Sequence, residues 1–287
     1  MEIIKNYRDN EMLRKSFNAL AMKTYGLDFE DWYQNGYWGE AYTPYSIVEE
    51  GKIVANVSVN TMDFILDGSR KHVIQLGTVM TDEAYRKKGY SRMLMEEVEK
   101  DYAGKTEGIY LFANDSVLDF YPKFGFERAF EYGYEKEMTA DRNRSIHKIP
   151  MHEKRAWDGF AKIVEQSVPC GRFAMAGGSG LVLFYVTKFM QDNVYYSKAH
   201  RAYLIAEEEG EELFVHGVFA ETPIEPSDIA KTFGQNIKKV RLGFTPFDTA
   251  GYTLREVKEE DTTLFLKGEG FGFWAADKLM FPTLAHA

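Results

Sequence analysis

Cysteine is almost missing from this chain of 287 residues, which carries one thiol, Cys170. A single cysteine excludes an intramolecular disulfide and every paired-cysteine metal motif. Nothing nearby activates it, so it reads as a small buried apolar residue. Histidine is sparse too. The six (72, 147, 152, 200, 216 and 286) show no His-x-x-x-His or comparable ligand spacing, and no metal site is expected. Long apolar runs are also lacking. The opening MEIIKNYRDN has charges where a leader peptide needs an apolar core, and no segment reaches membrane-spanning length. A cytoplasmic protein with no membrane partner is the expectation. Positive charge is in deficit, with 35 Lys and Arg against 44 Asp and Glu for a net −9, which argues against nucleic acid as a partner.

What is present is a folding chain: 45% hydrophobic and 15% aromatic residues, with length for two domains or one large one. Residues 1–140 hold 24 acidic and 17 basic side chains, and the remainder 20 and 18, so the acidity is concentrated in the first half. That half nevertheless contains a basic cluster. In Gln75–Met95, QLGTVMTDEAYRKKGYSRMLM, a β-prone apolar run leads into Arg86-Lys87-Lys88-Gly89-Tyr90-Ser91 and then into helical periodicity through Met93, Leu94, Val98 and Tyr102. A helix that starts directly after such a turn leaves several backbone N–H groups unpaired at its positive end. Gly89 lets the backbone approach an anion closely, and Arg86, Lys87 and Lys88 surround it with positive charge. A phosphate or pyrophosphate at this junction implies a nucleotide-type cofactor. The hexad has neither P-loop spacing nor the Gly-x-Gly-x-x-Gly of dinucleotide sites.

The hexad resembles the acetyl-CoA loop of the GNAT superfamily of N-acetyltransferases, Gln/Arg-x-x-Gly-x-Gly/Ala. Arg86 and Gly89 match it, and Ser91 departs at the last position while remaining small. A second resemblance follows in Ile109–Arg128, IYLFANDSVLDFYPKFGFER. Asn114 stands after a strand where the family contacts the pantetheine arm, and Tyr121 stands on the following short helix, near the position of the thioester sulfur. Phe124-Gly125-Phe126 matches the turn into the sixth strand. The resemblance covers roughly residues 1–140. It implies an α+β fold, a mixed and mostly antiparallel sheet flanked by helices and splayed between its fourth and fifth strands. Val79 and Thr81 would offer main-chain hydrogen bonds to the cofactor. It also implies acetyl transfer from acetyl-CoA, with no metal, to an amine of a small molecule or peptide. Tyr121 would be general acid on the departing thiolate, and the N–H of Val79 the oxyanion donor. No base is assigned, since Asp82, Glu83, Glu135 and His72 have equal claims.

The order of elements fits that fold. A strand at Glu2–Tyr7 and a helix at Asn10–Tyr25 precede a second short helix at Phe29–Tyr37. Antiparallel strands then turn at Glu50-Gly51 and Asp67-Gly68. Asp28–Tyr45 gathers Trp32, Tyr37 and Trp38 with Asp28, Glu30 and Asp31, a composition suited to holding an ammonium by cation–π and ionic contacts. The polar stretch Thr139–Lys148 is taken as the boundary between a GNAT domain at 1–140 and a second α+β domain at 141–287. The second part lacks the cofactor loop and reads as a degenerate GNAT-like repeat. Lys239–Phe244 parallels Ile109–Ala113, and Thr262–Lys267 parallels Gly133–Met138. Val182–Val186 reads as a strand, Asp248–Leu254 as a short helix, and Gly177-Gly178-Ser179-Gly180 as a flexible loop. Closing the acceptor site, forming a homodimer or binding a separate ligand are all open to this part. The competing reading of the whole chain is a non-enzymatic acyl-CoA sensor or scaffold.

Overall fold

Glu50-Gly51 and Asp67-Gly68 turn with positive φ at both positions (50° and 75°, 49° and 81°), the backbone twist that joins two antiparallel strands most tightly. They fold Tyr42–Thr81 into a three-stranded meander, which is the centre of the first sheet. The computed structural model describes residues 1–286. In chain order these form β1 (Glu2–Lys5), α1 (Glu11–Tyr25), α2 (Glu30–Gln34), β2 (Tyr42–Glu49), β3 (Lys52–Leu66), β4 (Ser69–Thr81), α3 (Tyr90–Tyr102), β5 (Gly108–Ala113), β6 (Glu127–Arg128) and β7 (Tyr132–Glu137). There follow β8 (His147–Lys148), α4 (Lys154–Gln166), β9 (Phe173–Met175), α5 (Ser179–Lys188), β10 (Val194–Ser197), β11 (Ala202–Glu209), β12 (Glu212–Phe219), α6 (Pro226–Ala230), β13 (Lys239–Leu242), β14 (Thr253–Glu256), β15 (Thr263–Lys267) and α7 (Trp274–Asp277).

The first sheet runs β1-β2-β3-β4-β5-β15-β6, with β9 added at the far end of β3. The second runs β8-β10-β11-β12-β13-β7-β14. Each is antiparallel except for one parallel pair at its centre, β4–β5 and β12–β13 respectively. The two sheets therefore share one strand order, and β5 and β13, aligned on sequence, occupy equivalent places. Their penultimate strands are exchanged. Gly133–Met138, expected to finish the first sheet, instead pairs with β13 and β14 in the second. Its counterpart β15 crosses back to insert between β5 and β6. Residue 140 thus separates elements along the chain but does not separate the sheets.

Two further expectations change. Val182–Val186 is helix, the core of α5, because a continuous apolar run satisfies a helix buried on all sides as well as a buried strand. Asp248–Leu254 is turn leading into β14. The short helix after Asn114 is a pair of 3-10 turns, Asp115–Val117 and Tyr121–Phe124. Helix α1 follows its sequence signals. Asn10 accepts the Leu13 N–H, Gly26 ends the helix in the left-handed region, and Phe17, Leu20 and Ala21 face the sheet.

The halves meet through aromatic packing. Phe64, Phe173, Phe281, Trp274 and Tyr110 form one buried cluster, in which Phe281 stacks on Tyr110 at 3.9 Å and on Trp274 at 4.6 Å. Trp274 donates its indole N–H to Phe130 O. Lys188 of α5 reaches Asp28 and Asp31 from the first half, at 3.3 Å each.

Candidate active site

Strands β4 and β5 are paired only from Val73 to Gln75 and from Gly108 to Tyr110. Beyond that they diverge, and the gap opens into a cavity of about 760 Å³. A bulge lies at the mouth of the split. Asn56 pairs with Met80 but Ser58 with Gly77, so Val57 faces both Thr78 and Val79. Thr78 takes φ 49°, an uncommon conformation for a β-branched residue. Three side chains hold it there. Asn56 Nδ2 donates to Thr78 O at 2.8 Å, Tyr42 Oη bonds Thr78 Oγ1 at 2.9 Å, and Tyr25 Oη donates to Val79 O at 2.5 Å. Asn56 is itself fixed in a buried polar chain through Ser46 to Tyr7 and to Ser58. Such a bulge takes local backbone groups off the ladder and re-aims them.

Past Thr81 the chain makes one 3-10 turn, Glu83–Tyr85, capped by Asp82, and then the basic loop. Lys87 and Gly89 both have positive φ, 65° and 83°. A Cβ at Gly89 would meet nothing within 4 Å, so glycine is required there for its backbone conformation and not for space. Helix α3 begins at Tyr90 with no side chain capping it, which leaves its first N–H groups open at the positive helix end. Ser91, where the resembling pattern has Gly or Ala, bonds Thr81 Oγ1 at 3.0 Å and ties the helix start to the strand end. Lys88 lies over the Tyr85 ring at 4.3 Å. Tyr90 turns its ring into the core, where its hydroxyl bonds Glu49, with Lys88 of the loop over the ring at 5.8 Å. An uncapped helix start with Arg86, Lys87 and Lys88 around it, opening into a cleft between strands, fits the diphosphate and arm of acetyl-CoA.

Val79, Thr81, Arg86, Ser91, Asn114 and Tyr121 all line this one cavity, while Lys87, Lys88, Gly89 and Tyr90 form the loop beside it. Tyr121 is buried among Phe120, Phe126 and Phe265, the last supplied by the exchanged strand β15. Burial holds its phenol well above the usual tyrosine range. The carboxylates and imidazole weighed as bases lie elsewhere. Asp82 pairs with Lys23, which lowers its pKa, and His72 pairs with Asp63 near the start of β4. Glu135 is in the second sheet beside Lys239 and Arg255.

The expected acceptor cluster is not brought together. Trp32 lines the cavity, but Trp38 is buried behind it with its indole on Tyr42 O, and Tyr37 stacks on Trp157 of α4. Asp28 and Asp31 are taken up by Lys188. Arg14 binds Glu30 at 3.0 Å and holds its carboxyl below the ordinary range. In their place stand residues that sequence reading did not single out: Asn60 on β3, and Leu181 and Phe184 on α5 from the other half of the chain. The corresponding place in the second sheet is filled. Between the diverging ends of β12 and β13 sits the protein's own segment Phe281–Ala285. There Thr283 N–H donates to Gly243 O and its hydroxyl bonds His216 Nδ1. A Cβ on Gly243 would lie 2.6 Å from Thr283 Oγ1, so the fit needs glycine.

Comparison with known proteins agrees with this geometry. The Acetyltransferase (GNAT) family matches residues 10–126. No curated protein matches the chain in sequence. Among solved structures, a conserved protein of Enterococcus faecalis V583 described as a probable N-acyltransferase superposes with TM-score 0.61 at 14% identity, covering 92% of this chain and 71% of that one. Eis1 from Mycobacterium abscessus gives 0.54 at 14% identity, with 92% and 72% covered. A GCN5-related N-acetyltransferase from Kribbella flavida gives 0.52 at 15%, with 92% and 70% covered. At such identities the likeness is one of fold, and it extends through both halves. The family match at residues 10–126 makes the first half a GNAT acetyltransferase domain and the protein an acyltransferase.

Proposed function

We propose that the protein transfers an acetyl group from acetyl-CoA to an amine of a small molecule or peptide by direct attack, without a metal. The observation that carries this is the single cavity joining the open start of α3, the β4–β5 split and the Tyr121 phenol. Acetyl-CoA would supply an activated thioester. Arg86 and the N–H groups at the start of α3 would grip its diphosphate, and Asn114 its arm. The Val79 N–H, in the bulge, would be the donor to the oxygen that gains charge, where a fixed dipole in a dry site is worth most. Tyr121 keeps its proton at neutral pH because burial disfavours the phenolate. It shares that proton with the departing sulfur, whose own basicity the same apolar walls increase.

The C-terminal half, residues 141–287, we read as a cofactor-free GNAT-like repeat. It supports the site by supplying β15 behind Tyr121 and α5 at the cavity wall. The test is thiol release from acetyl-CoA with an amine panel, alongside calorimetry with CoA. Tyr121→Phe should lower kcat about 100-fold while leaving CoA affinity and melting temperature in place. An unchanged kcat would remove Tyr121 from the chemistry.

A further inference from the structure

The inner end of the cavity is walled by Phe29, Trp32, Tyr42 and Phe184. Phe29 and Phe184 stack at 5.2 Å with their planes 8° apart, and Trp32 meets Phe184 and Tyr42 edge-on at 5.4 and 5.3 Å. The polar atoms of two of these rings are already engaged: Trp32 Nε1 donates to Gly180 O at 2.7 Å, and Tyr42 Oη bonds Thr78. What the rings offer a ligand is therefore apolar surface. Among the described residues, Arg86 at the cofactor end is the only charged side chain lining the cavity. One polar group at the inner end has no partner. Asn60, 4% exposed, leaves its Nδ2 without a hydrogen bond, an expensive arrangement for a buried donor unless a ligand completes it.

Building on the acetyl-transfer reading, we infer that the acceptor is a monoamine with an apolar, aromatic-sized body bearing a hydrogen-bond-accepting oxygen, packed against the wall formed by Phe29, Trp32 and Phe184 with Asn60 donating to that oxygen. A polycation entering this space would surrender its hydration with no carboxylate to meet it. The reacting amine gains from the same surroundings, which favour the neutral, nucleophilic form over the ammonium. The acceptor end is shared between the halves, since Leu181 and Phe184 come from α5.

The test compares 4-methoxyphenethylamine, phenethylamine and spermidine. Calorimetry with CoA is run first, and binding of each amine to the CoA-loaded protein is read from the quenching of Trp32. The arylamines should exceed spermidine in kcat/KM about tenfold or more, and the methoxy compound should exceed the plain one. Quenching by 4-methoxyphenethylamine should disappear in Trp32→Phe. Asn60→Leu should raise KM for the methoxy compound more than for phenethylamine, so that the methoxy preference is lost. The isosteric Asn60→Asp should shift preference toward spermidine. CoA binding with spermidine as the better substrate, or with no arylamine quenching or turnover, overturns the inference and leaves the acetyl-transfer reading standing. Absence of CoA binding overturns both.

Discussion

The two sheets run their strands in the same order and part at the same point, between the fourth and fifth strands, but they use that parting in opposite ways. In the first, β4 and β5 diverge around a cavity faced by the bulge at Thr78, the basic loop and Tyr121. In the second, β12 and β13 close on the protein's own Phe281–Ala285, with Thr283 in the place a ligand would take. The helix that follows also differs. Helix α3 runs 13 residues from an uncapped start, whereas α6 runs 5 and has no basic glycine loop before it. A cleft made by splaying parallel strands leaves backbone groups to satisfy, and the chain satisfies them with a ligand site in one half and with itself in the other.

Breaking the anchor of the segment that fills the second cleft should cost most. Phe281 is fully buried and stacks on Tyr110 and Trp274, so Phe281→Ala should destabilise the fold by about 3–5 kcal/mol in denaturant titration. Breaking the open cleft should cost binding and not folding. Gly89→Val places a β-branched residue at φ 83° beside the diphosphate site and should weaken CoA roughly 30-fold by calorimetry. Gly177→Ala, at the start of α5 in the other half, should leave CoA affinity unaltered.

A smaller effect tests the crossing between the sheets. Glu131, just before β7, accepts the Phe281 N–H at 2.7 Å, and burial pushes its carboxyl up to about 8. The folded protein therefore holds a proton that the unfolded chain releases above about pH 4.5, and this contribution to stability declines as pH rises toward 8. Glu131→Gln retains the acceptor and removes the titration. Its melting temperature should match that of the parent near pH 4.5 and exceed it by a margin that grows as pH rises to 8.5. The smallest effect concerns the ion pairs across the halves. Lys188→Ala removes the contacts to Asp28 and Asp31 and should cost about 0.5 kcal/mol, less at high salt.

The cofactor side of the site was legible because its signals are local. Gly89 and the basic triad stand within one turn, Asn114 and Tyr121 within a single strand-and-turn unit, and the Glu50-Gly51 and Asp67-Gly68 turns fix the meander between them. The acceptor side was not legible, since its determinants are distant in sequence. Asp28 and Asp31 look available until Lys188, some 160 residues on, is seen to engage them, and nothing near Trp32 announces Phe184. Thr78 gives no hint of positive φ, because the bulge is held by Tyr25, Tyr42 and Asn56 from three other elements. The strand exchange was hidden for a related reason. Alternation marks Gly133–Met138 and Thr262–Lys267 as strands, but either sheet would accept either pattern.

That exchange makes the chain hard to divide. Severed near residue 140, the leading fragment would hold a strand with no sheet to join and a gap between β5 and β6 that its own sequence cannot fill, and the trailing fragment would be in the mirror-image position. Separately expressed pieces should stay unfolded alone and fold only when mixed. The wall behind Tyr121 is thus complete only after synthesis has passed Lys267, so a nascent chain closes this cavity late.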